Sequence, residues 1–239
     1  MQKVTPRILV LDIETRPATA YVWRMWDENI TPEQLIDEGG MICFGAQWLG
    51  ERETIFYSDW QHGHQRVVRE VHRLISEADA VVTYNGDRFD LPKLQGEFLR
   101  AGLKPPPPVT SIDVIKTVKK LGFVMNRLAY IGPLLKVGAK VKHEGFSLWK
   151  GVMNGDPRAQ ARMKKYCIQD VKLLLRLYKV VRPYIKNHPH MALVSGTRCG
   201  ACGSKHLQSR GVRRTRAFSI QRLQCQSCGA WQDGKRAKV

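Results

Sequence analysis

The stretch ILVLDIETRP, residues 8–17, reads as a short strand rich in Ile, Leu and Val and ended by Pro17. It carries Asp12 and Glu14 within the apolar run. Residues two apart on a strand share a face, so the two carboxylates stand side by side. Unpaired charges taken out of water cost several kcal/mol or shift their pKa values upward, so a fold that buries this strand must supply counter-charge beside it.

Further apolar, β-branched runs at 41–48, 53–57 and 79–84 predict strands. Helical periodicity appears at about 64–77, 91–101, 113–120, 126–136 and 158–182. Strands mixed with helices imply an α/β fold, a sheet flanked by helices. Residues 16–40, with two Trp, several acids and a Pro, predict an irregular excursion with a short helix, and KPPPPVT (104–110) predicts an extended connector. No internal repeat is evident.

The chain has 239 residues and 39 Lys and Arg against 21 Asp and Glu, a net charge of +18. An excess of that size points first to a polyanionic partner such as nucleic acid. Neither a leader-type apolar segment nor a run of 18 apolar residues is present, so the expectation is an intracellular, cytoplasmic protein without a membrane span. In a reducing compartment clustered cysteines favour metal over disulfides.

On a helical wheel with Met163 at zero, Cys167, Val171, Leu174, Leu177, Tyr178 and Val181 fall within about 80° of it, and Lys165, Gln169, Lys172, Arg176 and Lys179 lie opposite. Asp170 lands near the middle of the apolar stripe and Tyr166 at its edge. A buried aspartate demands a partner: an Arg, a backbone amide or a metal. In AVVTYNGDRFDLPKL (80–94), Asp90 sits where strand gives way to helix. It is either an N-cap or a ligand, with Asp87 a second candidate in the same turn. Asp12, Glu14, Asp90 and Asp170 together bring four negative charges, which two hard divalent cations such as Mg²⁺ or Mn²⁺ would balance. Two such ions about 4 Å apart can drive phosphodiester hydrolysis.

DIET with Asp12 and Glu14, NGDRFD ending in Asp90, and YCIQD with Tyr166 and Asp170 resemble the three motifs of DEDD-type 3′–5′ exonucleases, the DnaQ-like group on an RNase H-like fold. The Asn-x-x-x-Phe-Asp form of the second motif is similar to the proofreading domains of family B DNA polymerases and favours Asp90 over Asp87. Tyr-x-x-x-Asp matches the tyrosine subtype; the histidine subtype would place His where Lys165 stands. The resemblance covers about residues 7–185, and the whole chain looks like the small stand-alone proteins of this kind in phages and prophages, several with a Cys-rich tail.

The resemblance implies that Asp12, Glu14, Asp90 and Asp170 hold two Mg²⁺ or Mn²⁺ ions and that Tyr166 orients the attacking water. The implied activity is 3′-end trimming of single-stranded DNA, in proofreading beside a DNA polymerase in trans, in repair or in DNA degradation. A structure-selective nuclease, a ribonuclease or a non-catalytic nucleic-acid-binding module are the alternatives. Asn85 and Phe89 either line the site or, for Phe89, join the core. Asp113 is a helix cap or a support of the site. Lys140 and Lys142, in a polar tract (136–145) with Lys136 and His143, either grip the strand backbone or belong to a solvated loop.

After a linker at 186–197, which carries His188 and His190, residues 198–239 form a second unit. From Ser195 onward ten Lys and Arg face one acid, a net of +9. CGACG and CQSCG place Cys199, Cys202, Cys225 and Cys228 as two Cys-x2-Cys pairs, each followed by Gly. Four thiolates so spaced predict a structural Zn²⁺ and a zinc ribbon, with AFSIQRLQC as a strand. Arg213, Arg214 and Arg216, with Arg210, Phe218 and Trp231, would contact nucleic acid by charge and stacking, although such ribbons also bind proteins. Cys43 and Cys167 stand alone and predict buried core residues.

Overall fold

The computed structural model describes residues 6–142, 144–191, 198–215 and 217–238. His143, Arg216 and part of the expected linker (192–197) lie outside the described residues. In chain order the elements are β1 (Ile8–Arg16), β2 (Thr19–Ala20), β3 (Leu35–Asp37), β4 (Gly40–Trp48), β5 (Ile55–Ser58), α1 (Asp59–His62), α2 (His64–Ser76), β6 (Ala80–Thr83), α3 (Asp90–Arg100), β7 (Thr110–Asp113), α4 (Val114–Val118), α5 (Leu128–Leu134), α6 (Phe146–Met153), α7 (Pro157–Val181), β8 (Leu207–Arg214), β9 (Phe218–Cys225) and β10 (Trp231–Lys238). Single 3-10 turns occur at Pro32–Gln34, Lys119–Leu121 and Arg182–Tyr184.

The main sheet is mixed, in the order β5-β4-β1-β6-β7. β1 pairs antiparallel with β4 and parallel with β6, which pairs parallel with β7. The two faces of β1 sort cleanly. Leu9, Leu11 and Ile13 pack with Val67, Val71, Leu94 and Phe98 of α2 and α3. Ile8 and Val10 pack with Leu173, Leu174, Leu177 and Tyr178 of α7 on the other face. Asp12 and Glu14 continue the Ile8–Val10 face, so the stripe under α7 changes from aliphatic to carboxylate within one strand.

Around the main sheet the expected strands and long helices are present, with four differences. β7 replaces the end of the connector predicted at 104–110, because parallel pairing with β6 captures Thr110–Asp113. The helix predicted at 113–120 therefore begins at Val114, capped by the Asp113 side chain, which accepts from the Ile115 amide at 3.3 Å. α1 and α6 were not predicted. α6 follows Gly145 and buries only Leu148 and Val152, too short an apolar pattern for periodicity to reveal. The excursion between β1 and β4 contains the short β2–β3 pair and one 3-10 turn.

β8, β9 and β10 form a separate three-stranded antiparallel sheet, in the order β10-β9-β8. No helix among the described residues is long and apolar enough to cross a membrane.

Candidate active site

Asp12 and Glu14 come from β1 and Asp170 from α7, and their carboxylate oxygens lie within 4.8 Å of one another. Asp170 is 2% exposed. α7 can approach the sheet this closely because Gly45 stands opposite Asp12 in the β1–β4 ladder. A Cβ there would come within 2.8 Å of Val171 Cγ2 and 3.0 Å of Cys167 Sγ. Cys43 and Cys167 are buried beneath the cluster, as expected of core residues.

Asp90 arrives from the first turn of α3. β6 leaves the ladder after Val10 on β1, so the Ile13 amide on that edge has no strand partner. It donates to Asp90 Oδ1 at 3.2 Å. The Asp90 carboxylate thus stands beside the trio and not within it. Asp87, the rival in the same turn, is bound instead by Lys116 and Ser111. The turn itself is built on Asn85, whose φ is +69°, and its Asn85 amide donates to Asp113 Oδ1 at 2.7 Å. Asp113 therefore both caps α4 and supports the turn that presents Asp90. Phe89 is 41% exposed and does not belong to the core.

The electrostatics follow from crowding. Burial pushes the Asp12 carboxyl well above its ordinary range, and Glu14, Asp90 and Asp170 add to the effect. Burial and then Asp170 raise Glu14 to about 8. Burial raises Asp90 to about 6, opposed by the Ile13 amide. The Lys140 ammonium offsets part of this charge. Lys140 Nζ lies 2.6 Å from Asp170 Oδ2 and donates to the Tyr166 hydroxyl at 3.0 Å. Burial works against the ammonium, but Asp170 and Tyr166 outweigh it and its pKa lies above the usual lysine value. Tyr166, in the turn before Asp170, is held protonated by burial and by Asp170 and Glu14. Its ring meets Trp149 of α6 edge-on, with centroids 6.0 Å apart.

Trp149 and Arg127 are residues that the motif pattern does not reveal. Arg127, Asn85 and Lys140 line one open depression, whereas Lys142 is exposed and accepts from Arg162 at its backbone oxygen, 3.4 Å away. Helical and strand periods carry no signal for loop residues such as Asn85 and Lys140, and Trp149 sits on α6, too short to show one.

Hard divalent ions fit the carboxylate cluster. The trio is preassembled, its oxygens suit such cations, and its raised pKa values register the cost of leaving the charges unbalanced.

The four tail cysteines are also gathered within 4.8 Å. Cys199–Cys228 and Cys202–Cys225 sulfur separations are both 3.7 Å. That matches the edge, about 3.8 Å, of a tetrahedron with Zn–S bonds of about 2.3 Å, and it is far beyond a disulfide bond of about 2.05 Å. Gly203 and Gly229 close the two knuckles with φ of +76° and +77°, a conformation that glycine adopts without cost. Burial would raise the Cys225 thiol, but the amides of Cys228 and Ser227 outweigh it and hold the thiol at about 7. Nearby, Arg213 is occupied by Asp233 at 2.7 Å, Arg214 is exposed, and Arg222 covers the Trp231 ring at 4.7 Å.

A mixed sheet with helices on both faces, carrying acids at the end of its central strand, defines an RNase H-like α/β protein. A family model described as the RNase_H superfamily matches residues 33–182, well over half of the sequence, and the chain belongs to that superfamily. The matched stretch includes Asp90, Tyr166 and Asp170 and begins after Asp12 and Glu14. No curated protein matches the sequence. Among solved structures 126 chains match. One is the family B DNA polymerase from the hyperthermophilic archaeon Pyrobaculum calidifontis, 15% identical, with a TM-score of 0.57 over 90% of this chain. The likeness is one of fold, and it covers 32% of the polymerase chain.

Proposed function

We propose that the protein is a metal-dependent 3′–5′ exonuclease that removes nucleotides from the 3′ ends of single-stranded DNA and releases 5′-monophosphates. The observation that carries this reading is the convergence of Asp12, Glu14 and Asp170 oxygens within 4.8 Å, beneath a tyrosine, in a chain of net charge +18. Asp12, Glu14, Asp90 and Asp170 would hold two Mg²⁺ or Mn²⁺ ions, which supply Lewis-acid stabilisation of the charge that develops during phosphodiester hydrolysis. Tyr166, held as a phenol, orients water and does not deprotonate it. Lys140 fixes the Tyr166 hydroxyl and offers positive charge for a backbone phosphate. Asn85, Phe89 and Lys142 complete the substrate contacts.

In this reading residues 1–185 are the nuclease domain, 186–197 a linker and 198–239 a basic zinc ribbon. Arg213, Arg214 and Arg216 of the ribbon contact the nucleic acid, and a DNA polymerase acts as partner in trans. Free thiols suit a reducing, cytoplasmic compartment, and the phage or prophage kind of protein is the source that the motif resemblance suggests.

The test is digestion of 5′-labelled single-stranded DNA and matching RNA with Mg²⁺ or Mn²⁺, beside an Asp12→Ala control. A ladder shortened from the 3′ end of DNA and absent in the control is expected. Cleavage of RNA alone, or internal cuts on a strand with a blocked 3′ end, would replace this activity with another nuclease activity.

A further inference from the structure

The excursion between β1 and β4 carries the most conspicuous unused feature of the surface. Tyr21, Trp23, Met25 and Trp26 are 74%, 94%, 85% and 77% exposed. Single exposed apolar side chains are ordinary, but four in six consecutive residues form a patch of the kind that marks interaction sites.

The patch is held rigidly from below. The Glu28 carboxylate accepts from the Trp23 and Arg24 amides, each at 2.9 Å, and from Gln34 Nε2 at 2.8 Å. The Tyr21 amide donates to the Gln34 backbone oxygen at 2.9 Å, and Gln34 Nε2 also donates to the Tyr21 backbone oxygen at 3.1 Å. Glu28 and Gln34 thus tie down the backbone that carries the rings, which lowers the entropy cost of ordering the loop on binding.

Charge narrows the choice of partner. Residues 17–40 hold five acids and one base, a net of −4, against +18 for the whole chain, so the remainder carries +22. Asp37 is paired with Arg16 at 3.3 Å and Glu38 with Arg100 at 2.6 Å, while the Glu28 carboxylate is directed at the backbone amides beneath the rings. The loop therefore offers ring faces and little positive charge, while the rest of the chain offers the positive charge. Single-stranded nucleic acid matches that division, with neutral flat bases on the rings and phosphates on the basic remainder. Position agrees: only six residues separate Glu14 from Tyr21, a span of at most about 25 Å, so the rings stand within a few nucleotides of the carboxylates.

We propose that Tyr21, Trp23 and Trp26 form a base-stacking platform for single-stranded nucleic acid next to the carboxylate site. The inference rests on the nuclease reading for its direction, and its test is separate from cleavage. Bases in a duplex are already stacked on one another, so the platform favours unpaired strands.

The experiment measures fluorescence anisotropy of a labelled strand of about 12 nucleotides, as DNA and as RNA, binding the full chain in EDTA, where no cleavage occurs. A blunt DNA duplex is the comparison. The Trp23→Ala/Trp26→Ala variant is expected to bind the single strand about tenfold or more weakly, with less than about twofold change on the duplex. Trp23→Phe/Trp26→Phe should recover most of the loss, because a smaller ring still stacks. The DNA and RNA arms show which strand the platform takes. Unchanged single-strand affinity in the alanine variant, or an equal loss on the duplex, overturns the proposal. So does a native assembly, seen by light scattering, that the variant disperses while strand binding stays intact, since the patch would then be a protein interface. A chain that stacks the strand but never cleaves it would remove the nuclease reading and leave the platform standing.

Discussion

Gly45 faces Asp12 across the β1–β4 ladder, and the helix that carries Asp170 closes over the gap it leaves. Gly45→Ala should force Val171 and Cys167 outward and lower stability by about 1–3 kcal/mol. Thermal unfolding reads the loss, and a Val171→Ala change made with it should recover part. A Gly45→Ala protein as stable as the native one would mean that α7 seats on the sheet without this gap.

Metal-free stability should fall as pH rises. Glu14 ionises near its ordinary 4.5 when unfolded and at about 8 when folded. Between those values the unfolded chain binds fewer protons at this position, so stability drops through that window and levels above it, by on the order of a few kcal/mol. Asp12 and Asp90 act in the same direction. Melting temperatures in EDTA from pH 5 to 8 should decline more steeply for the native protein than for Glu14→Gln, and Mn²⁺ should erase the difference. Parallel curves for the two proteins would show that the carboxylates are not under this strain.

Lys140 neutralises Asp170 where a divalent ion would. Removing the ammonium in Lys140→Met should raise Mn²⁺ affinity in the absence of nucleic acid by about tenfold, read by calorimetry, while 3′-end cleavage falls. An unchanged or weaker Mn²⁺ affinity would mean that the ammonium leaves the ion-binding oxygens free.

The four tail thiolates should hold about one zinc ion per chain, released by a mercurial and quantified with a colorimetric chelator. Cys228→Ser should weaken retention strongly and unfold the sheet of β8, β9 and β10, since a unit of this size has too little core to stand alone. The unfolding transition of the larger domain should be little changed. A variant that retains both zinc and ribbon structure would rule out the tetrahedral site.

Most of the carboxylate site could be read from periodicity. The two-residue repeat of β1 places Asp12 and Glu14 under one face, and the helical repeat places Asp170 and Tyr166 along the stripe that α7 buries. Four cysteines in two knuckles likewise announce their grouping through spacing. Trp149 gave no such signal, because α6 is short and its ring matters only where α6 meets Tyr166. Sequence alone leaves Phe89 open between lining the site and joining the core, and the turn at Asn85 leaves it at the surface.

Local order in the chain settles which residues share a strand face or a helix stripe, since those repeats depend only on near neighbours. Hence sequence alone identifies β1, β4, β5, β6 and β9, the long helices and the acids that β1 and α7 deliver. Which acids meet was decided by the tertiary structure. Asp90 reaches the Ile13 amide 77 residues away because β6 stops short along β1, whereas Asp87 turns to Lys116. The Lys140 ammonium reaches Asp170 from a loop with no repeat of its own. Sheet order and helix seating set these meetings, and both are products of long-range packing that no local period encodes.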